Sequence, residues 1–432
     1  MSSEGKITKI INGRLLLHHE IVENSYLWLQ DGKIISAFHS FFEEKREPDI
    51  VIDAKGAIIS PGYIDLQING GFGFDFSDIK GSDEKLQEDI TAVAKGLLQF
   101  GCTAFCPTVV TCAPEVYTRV LPLLRRRSGD AETGAEILGA HCEGPFISFE
   151  KKGAHNETMI QDAENGIAAL DEAYGPELIK SDTIRIMTVA PETDGMLNVI
   201  PELVKRNITV SLGHSAANIH QAEAGVKAGA TFITHLFNAM KSFHQRDPGM
   251  VGILGASDLP QPSHANRHPS PSSTSPDSSK PDPRPFYGII CDGVHVHPNS
   301  VRIAYYSHPR GCVLVTDALA GAYLKPGVYP LAGREVEVRG ASGAYLKDTD
   351  TLAGSTVSID QCVRNFRRFT RCSIVEAIEA ATLHPAQTVG IQDTKGTLNA
   401  GSDADILFLN DDLEIQRVFV RGVEVELSPS SS

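Results

Sequence analysis

Four residues in the middle of the chain have types and settings that chemistry needs: Glu143, His214, His235 and Asp317. Each closes an apolar run, respectively Ile137-Leu-Gly-Ala-His-Cys-Glu143, Thr209-Val-Ser-Leu-Gly-His214, Thr231-Phe-Ile-Thr-His235 and Val313-Leu-Val-Thr-Asp317. Taken singly, each fits a hydrogen-bonded structural side chain, and Asp317 fits a helix N-cap. Together they sit at the tips of successive strands, which in a parallel α/β barrel converge on one mouth. Two imidazoles and a carboxylate, Glu143, His214 and His235, make a three-ligand Zn2+ site with a position left open for water. Asp317 then suits the base that takes a water proton and later returns it to a departing amine.

Other polar groups surround this set. His141 shares a strand face with Glu143, since side chains two apart point the same way, and is expected to support the ligand from behind. Gln67 and Asn69 share the face of the first barrel strand; as neutral amides they are weak ligands, so one firmly bound ion is expected rather than two. The loop Lys151-Lys-Gly-Ala-His155, Asn238 with its neighbouring backbone, and Arg246, a potential anion clamp, could hold substrate. His295 and His297 offer either substrate contacts or a separate HxH metal pair. Cys142 faces away from Glu143 and is assigned to the core.

The elements that must position these groups follow from periodicity. Ile7–Ile11, Tyr26–Leu29, Lys33–Ala37 and Ile50–Asp53 at one end, and Asp405–Leu409 and Arg417–Val420 at the other, are β-rich runs. Asn12-Gly13 and Asp31-Gly32 are the expected turns. Between these ends, strands alternate with helices. Ile58–Leu66 is expected as one strand, and Leu86, Ile90, Val93 and Leu97 have helical spacing. Repeated βα units predict a (β/α)8 TIM-like barrel over residues 61–384, with a small β-sandwich built from both termini, 1–60 and 385–432. No GxGxxG opens a helix after the first strand, which argues against a dinucleotide fold. Residues 257–285, dense in Pro, Ser, Asp and His, predict a disordered surface insertion within the barrel.

Composition narrows the function classes. The formal net charge of −15 disfavours nucleic acid as the main partner. Eight cysteines without a CxxC pair suit reduced, buried thiols in the cytosol. The Met1–Lys6 start has no apolar core, and no apolar stretch approaches the ~20 residues of a membrane span, so a soluble intracellular protein is expected.

The segments His141-Cys-Glu-Gly-Pro145, Lys151–His155, Leu212-Gly-His-Ser215, Thr234–Met240, Asp292-Gly-Val-His295, Val315-Thr-Asp-Ala318 and Leu352-Ala-Gly-Ser355 occur in this order. As an ordered set spanning nearly the whole chain, they resemble the N-acetylglucosamine-6-phosphate deacetylases of the amidohydrolase superfamily. The resemblance implies hydrolysis of N-acetylglucosamine 6-phosphate to glucosamine 6-phosphate and acetate. It implies one divalent ion per subunit, Zn2+, on Glu143, His214 and His235, with Asp317 as acid/base. Substrate contacts are implied at Ala154, His155, Asn238, Ala239, Arg246, His295, Leu352, Ala353 and Gly354. A homodimer is implied too, in which Arg246 and His295 reach the neighbouring subunit's phosphate site. Gln67 and Asn69 match the single-metal branch. The rival readings are an amidohydrolase acting on another N-acyl or cyclic amide, and a non-catalytic scaffold. The insertion departs from the family pattern. Deleting 258–284 and comparing turnover tests it: a passive loop leaves the kinetics unchanged.

Overall fold

The computed structural model describes residues 5–37, 45–179, 182–259, 282–340 and 343–427. Eight parallel strands run round the central body: β1 (Tyr63–Ile68), β2 (Cys102–Val110), β3 (Ala140–Glu143), β4 (Ile184–Val189), β5 (Thr209–Leu212), β6 (Phe232–Ile233), β7 (Phe286–Ile290) and β8 (Cys312–Val315). Each pairs in parallel with the next in sequence. The ring closes just beyond β8, where Asp317 N–H donates to Gln67 O at 2.8 Å and Asn69 N–H donates to Ala318 O at 2.7 Å. The result is a (β/α)8 barrel. Its strands are apolar nearly throughout because helices cover the outer face and side chains such as Ile64, Leu66, Ile186, Phe232, Val313 and Val315 fill the inside.

The helices form where the 3.6-residue pattern predicts them. Asp83–Leu97 starts at Ser82, whose side chain accepts from Lys85 N–H, and buries Leu86, Ile90, Val93 and Leu97. Each fully buried Leu or Ile of this kind contributes about 1.5–3 kcal/mol. Met196–Lys205 and Ile219–Ala228 then deliver the chain to β5 and β6. No helix among the described residues is long and apolar enough to cross a membrane. All eight cysteines are free thiols, seven of them buried, Cys142 included.

The two ends of the chain meet in one β-layer around their own core. Ile58–Pro61 pairs antiparallel with Ile406–Leu409, joining the N-terminal strands Thr8–Leu17, Glu20–Gln30, Lys33–Ile35 and Ile50–Asp53 to Ile415–Val420 and Val423–Glu424. Ile10, Leu27, Ile59, Ile406, Phe408 and Phe419 fill that core. Two turn assignments resolve differently. Asp31-Gly32 is a turn as expected, but Asn12-Gly13 is a bulge inside Thr8–Leu17, with Asn12 at φ +57° and the register shifting past it. The hairpin turns instead at His18-His19, both at positive φ (50° and 64°).

The expected single strand Ile58–Leu66 is two. Ile58–Pro61 belongs to the terminal sheet and β1 to the barrel. The break falls at Gly62, where any Cβ would collide with the Thr103 side chain. A further three-stranded sheet, Gly327–Leu331, Arg334–Val338 and Ala344–Leu346, follows β8 and was not anticipated. Of the expected insertion, residues 260–281 lie outside the described residues. The chain returning from it is fastened: Arg284 Nη1 donates to Leu254 O at 2.7 Å and to Ser307 O at 2.9 Å, and Nη2 meets Asp282 Oδ2 at 2.6 Å. A deletion that tests the insertion therefore has to stop at residue 281.

One buried cation joins barrel and terminal sheet. Lys395 Nζ lies 2.6 Å from Asp405 Oδ2, 2.9 Å from Asp403 Oδ2 and 3.0 Å from Glu136 Oε2, with its side chain 4% exposed. Removing one partner of a buried ionic cluster leaves charges uncompensated, at a cost of about 3–5 kcal/mol. Lys395→Ala is expected to lower the urea midpoint accordingly. A midpoint equal to wild type would show that the cluster adds nothing.

Candidate active site

Three strand ends place their side chains at one point. Glu143 ends β3, His214 stands two residues past β5 and His235 two past β6. Glu143 Oε1 lies 3.1 Å from His235 Nε2 and 3.4 Å from His214 Nε2, and the two Nε2 atoms are 3.1 Å apart. These three buried residues form a group able to hold a metal ion. The donor chemistry fits a divalent ion. Lys151 O can only accept, so the 2.9 Å bond to His214 Nδ1 puts the ring proton there. The Nε2 lone pair is thereby turned toward Glu143 and His235.

The backbone pays attention to direction at these tips. His214, His235 and Asp317 all adopt left-handed φ, at 47°, 25° and 49°. A non-glycine residue in that region costs on the order of 1–3 kcal/mol. The turn swings each side chain from the strand axis into the barrel mouth. It also explains why the expected strand Thr231–His235 stops at Ile233.

Asp317 faces the group from the closing seam. Its Oδ1 accepts from Asn69 Nδ2 at 2.8 Å and from Gln67 Nε2 at 3.3 Å, and Gln67 Nε2 also donates to Glu143 Oε1 at 2.8 Å. Burial and then the charge of Glu143 push the Asp317 carboxyl up to about 6. Burial would raise Glu143 as well, but the imidazoles of His155, His214 and His235 packed against it prevail and hold it well below the usual carboxylate range. No helix starts at Asp317, so it is not an N-cap.

His155 comes from the loop after β3. Burial, then the adjacent His214, brings it down to about 4, so the ring is neutral near neutrality. Thr111 N–H donates to its Nδ1 at 3.3 Å. A backbone amide can only donate, so the ring proton sits on Nε2, which lies 3.7 Å from Glu143 Oε2. His155 thus presents an N–H to the site.

One cavity takes in Glu143, His214, His235 and Asp317 together with the expected contacts Ala154, His155, Asn238, Ala239, His295, Leu352, Ala353 and Gly354. Arg246 is exposed and is not in this lining. His295, which the resemblance placed in a neighbour's site, lines the cavity of its own chain. The turn after β7 folds it back, with Asp292 Oδ2 2.6 Å from its Nδ1 and Asp292 Oδ1 accepting its backbone N–H at 2.9 Å. His297 accepts from Asn299 N–H at the start of a helix and does not line the cavity that His295 enters.

The sequence reading missed Thr111, Leu331, Ala332 and Arg334, which also line the cavity. Ala332 N–H donates to Asp75 Oδ2 at 2.5 Å, and Arg334 Nη1 donates to Ala154 O at 3.1 Å, so the second sheet is fastened over the mouth. Its signal was present: the alternation of Arg334-Glu-Val-Glu-Val338 after Ala332-Gly333 marks a hairpin.

The model of the amidohydrolase family matches residues 58–425. The chain belongs to that family. Among similar proteins, the N-acetylglucosamine-6-phosphate deacetylase of Danio rerio is 42% identical over 98% of each chain, and that of Mus musculus is 45% identical over 96% of this chain and 93% of its own. A solved structure of an N-acetyl-D-glucosamine-6-phosphate deacetylase mutant from Mycobacterium smegmatis, in complex with N-acetyl-D-glucosamine-6-phosphate, superposes with a TM-score of 0.78 at 26% identity, over 98% of this chain and all (100%) of that one. In this amidohydrolase, Glu143→Ala is expected to reduce the bound divalent metal to a small fraction of the wild-type content, read by elemental analysis of the folded protein. Wild-type metal content in that variant would exclude Glu143 as a ligand.

Proposed function

We propose that this chain hydrolyses the acetamide of N-acetyl-D-glucosamine 6-phosphate, giving D-glucosamine 6-phosphate and acetate. The observation that carries the reading is the convergence of Glu143, His214 and His235 with a second carboxyl, Asp317, at the base of one cavity. The substrate comes from the relatives' shared activity. Glu143, His214 and His235 are the metal ligands, and a divalent ion there, Zn2+ in our reading, supplies Lewis acidity to the amide carbonyl and the water. Ala154, His155, Asn238, Ala239, His295 and Leu352–Gly354 hold the sugar phosphate.

The residues divide the proton work. Asp317, as a carboxylate, takes a proton from the attacking water as the C–O bond forms. His155 donates its Nε2–H to the carbonyl oxygen as charge develops there. Asp317 then returns the proton to the nitrogen as the C–N bond breaks, and the amine leaves. Burial and the charge of Glu143 raise the proton affinity of Asp317, which suits one group to both steps.

Two further readings accompany this one. The protein acts as a homodimer, and Arg246, exposed and outside its own cavity, reaches the partner's phosphate site. It works in the cytosol, where its free thiols stay reduced. Residues 61–384 are the catalytic body, carried on a sandwich of 1–60 and 385–432.

Acetate release from N-acetylglucosamine 6-phosphate, with and without chelator, tests the activity, and the unphosphorylated sugar tests the phosphate. Asp317→Asn should keep its metal and lose about 10²–10⁴-fold in turnover. Because the Asp317 pKa is raised, its base form disappears as pH falls through about 6, and wild-type kcat/KM should decline there. Near-normal turnover in Asp317→Asn would sink the assignment.

A further inference from the structure

Asn69 ends β1 in a fixed position. Its backbone N–H donates to Ala318 O at 2.7 Å, and the residue is 3% exposed. Its side-chain Nδ2 donates to Asp317 Oδ1 at 2.8 Å. A carboxylate oxygen accepts, so the amide nitrogen must face Asp317 and the carbonyl oxygen must face the other way. That oxygen, Oδ1, is buried and has no hydrogen-bond partner within the protein. Leaving a buried acceptor unmatched is unfavourable, and such atoms call for an explanation. Gln67 Oε1 is also unmatched, but Gln67 does not line the cavity, whereas Asn69 does.

The reaction supplies a donor of the right kind. On the reading of the substrate as a secondary acetamide, its nitrogen carries one hydrogen. When the carbonyl carbon becomes tetrahedral, the nitrogen gains a lone pair that must point at Asp317 to receive the proton. The N–H must then point elsewhere, and Asn69 has one side-chain atom on Asp317 and the next one unmatched. We propose that Asn69 is a catalytic residue of this site: Asn69 Oδ1 accepts the acetamide N–H and so turns the nitrogen lone pair toward Asp317. After the proton transfer and C–N cleavage, the same oxygen accepts from the product amine. No bond to Asn69 forms or breaks, and the proton count is unchanged.

The inference is separable from Asp317 positioning because both amides, Gln67 and Asn69, donate to the same Oδ1 while Asn69 alone of the two lines the cavity. The test compares the acetamide with its oxygen counterpart, 2-O-acetyl-D-glucose 6-phosphate, which has no N–H. Wild type, Asn69→Leu, Asn69→Ala and Gln67→Leu are assayed on both, with metal content checked for each. Gln67→Leu, which loosens Glu143 as well as Asp317, measures how much a less firmly held site penalises the amide over the ester. Asn69→Leu is expected to lose about 10- to 100-fold more kcat/KM on the acetamide than on the ester, beyond the Gln67→Leu difference. Asn69→Ala should show the same excess if the Leu variant does not fold. An excess no larger than that of Gln67→Leu would overturn the proposal. Wild-type inactivity on the acetamide would instead overturn the substrate reading, a distinct outcome.

Discussion

A carboxylate placed almost out of reach of water must be surrounded by polar or cationic partners or it will not stay charged, and Glu143 is that carboxylate. At 3% exposure, its charge would carry a desolvation cost of several kcal/mol without partners. The chain meets this with groups from four separate places: His155 from the loop after β3, His214 after β5, His235 after β6 and Gln67 from β1. No local segment could supply them. The barrel must close, in the correct register, before Glu143 has its partners. The three left-handed residues at the tips are tolerated because this closure over-determines them, and each aims its side chain at the same centre.

Beneath the site runs a chain of hydrogen bonds whose direction is forced. Leu66 O can only accept, so His141 Nδ1 donates to it at 2.9 Å, and the neutral ring's Nε2 must accept from Thr188 Oγ1 at 2.7 Å. Burial lowers the His141 pKa, which keeps the ring neutral. Thr188 then accepts from Thr234 at 2.7 Å, and Thr234 from Ser211 at 2.5 Å. Five strands or strand ends (β1, β3, β4, β6 and β5) are thereby tied together by polar atoms inside an apolar barrel. Every member has its partner, so the network specifies register instead of destabilising the core. A one-residue slip in any of these strands would turn its polar member out of the network and its site residue out of the mouth. His141 therefore supports Glu143 through the frame, without a bond to it.

Legibility in the sequence follows the range of the interactions. Strand ends marked by an apolar run and a His or carboxylate were visible, because each signal lies within six or seven residues, and the barrel then implies convergence. Asn12-Gly13 was misassigned because the same dipeptide suits a hairpin turn and a bulge; only pairing with Glu20–Gln30 distinguishes them. Ile58–Leu66 looked continuous because nothing local reveals that Thr103 crowds Gly62. Thr111 was missed since its contacts to His155 Nδ1, from hydroxyl and backbone N–H, join residues far apart in the sequence. That His295 lines a cavity of its own chain was not legible, because the local Asp292-Gly-Val-His295 turn, which folds it back, is a matter of geometry and not of residue type.

The two carboxylates show how one environment yields two roles. Glu143 and Asp317 share the donor Gln67 Nε2 and both lie nearly out of solvent. Glu143 also faces three imidazoles, which hold its proton affinity far down. Burial and then the negative charge of Glu143 raise the proton affinity of Asp317, whose hydrogen-bond donors are two neutral amides. Pairs of titratable groups driven apart in this way suit different tasks: the one that stays charged can hold a cation, and the one nearer neutrality can exchange a proton. Gln67 and Asn69 are central to that split. Imidazoles at those positions would compete for a cation and bring positive charge to Asp317, pulling its proton affinity back down. An amide donates a hydrogen bond without bringing a charge, so Asp317 is held in place while its proton affinity stays raised. The neutral side chains at the end of β1 therefore hold Asp317 without adding a charge of their own beside it.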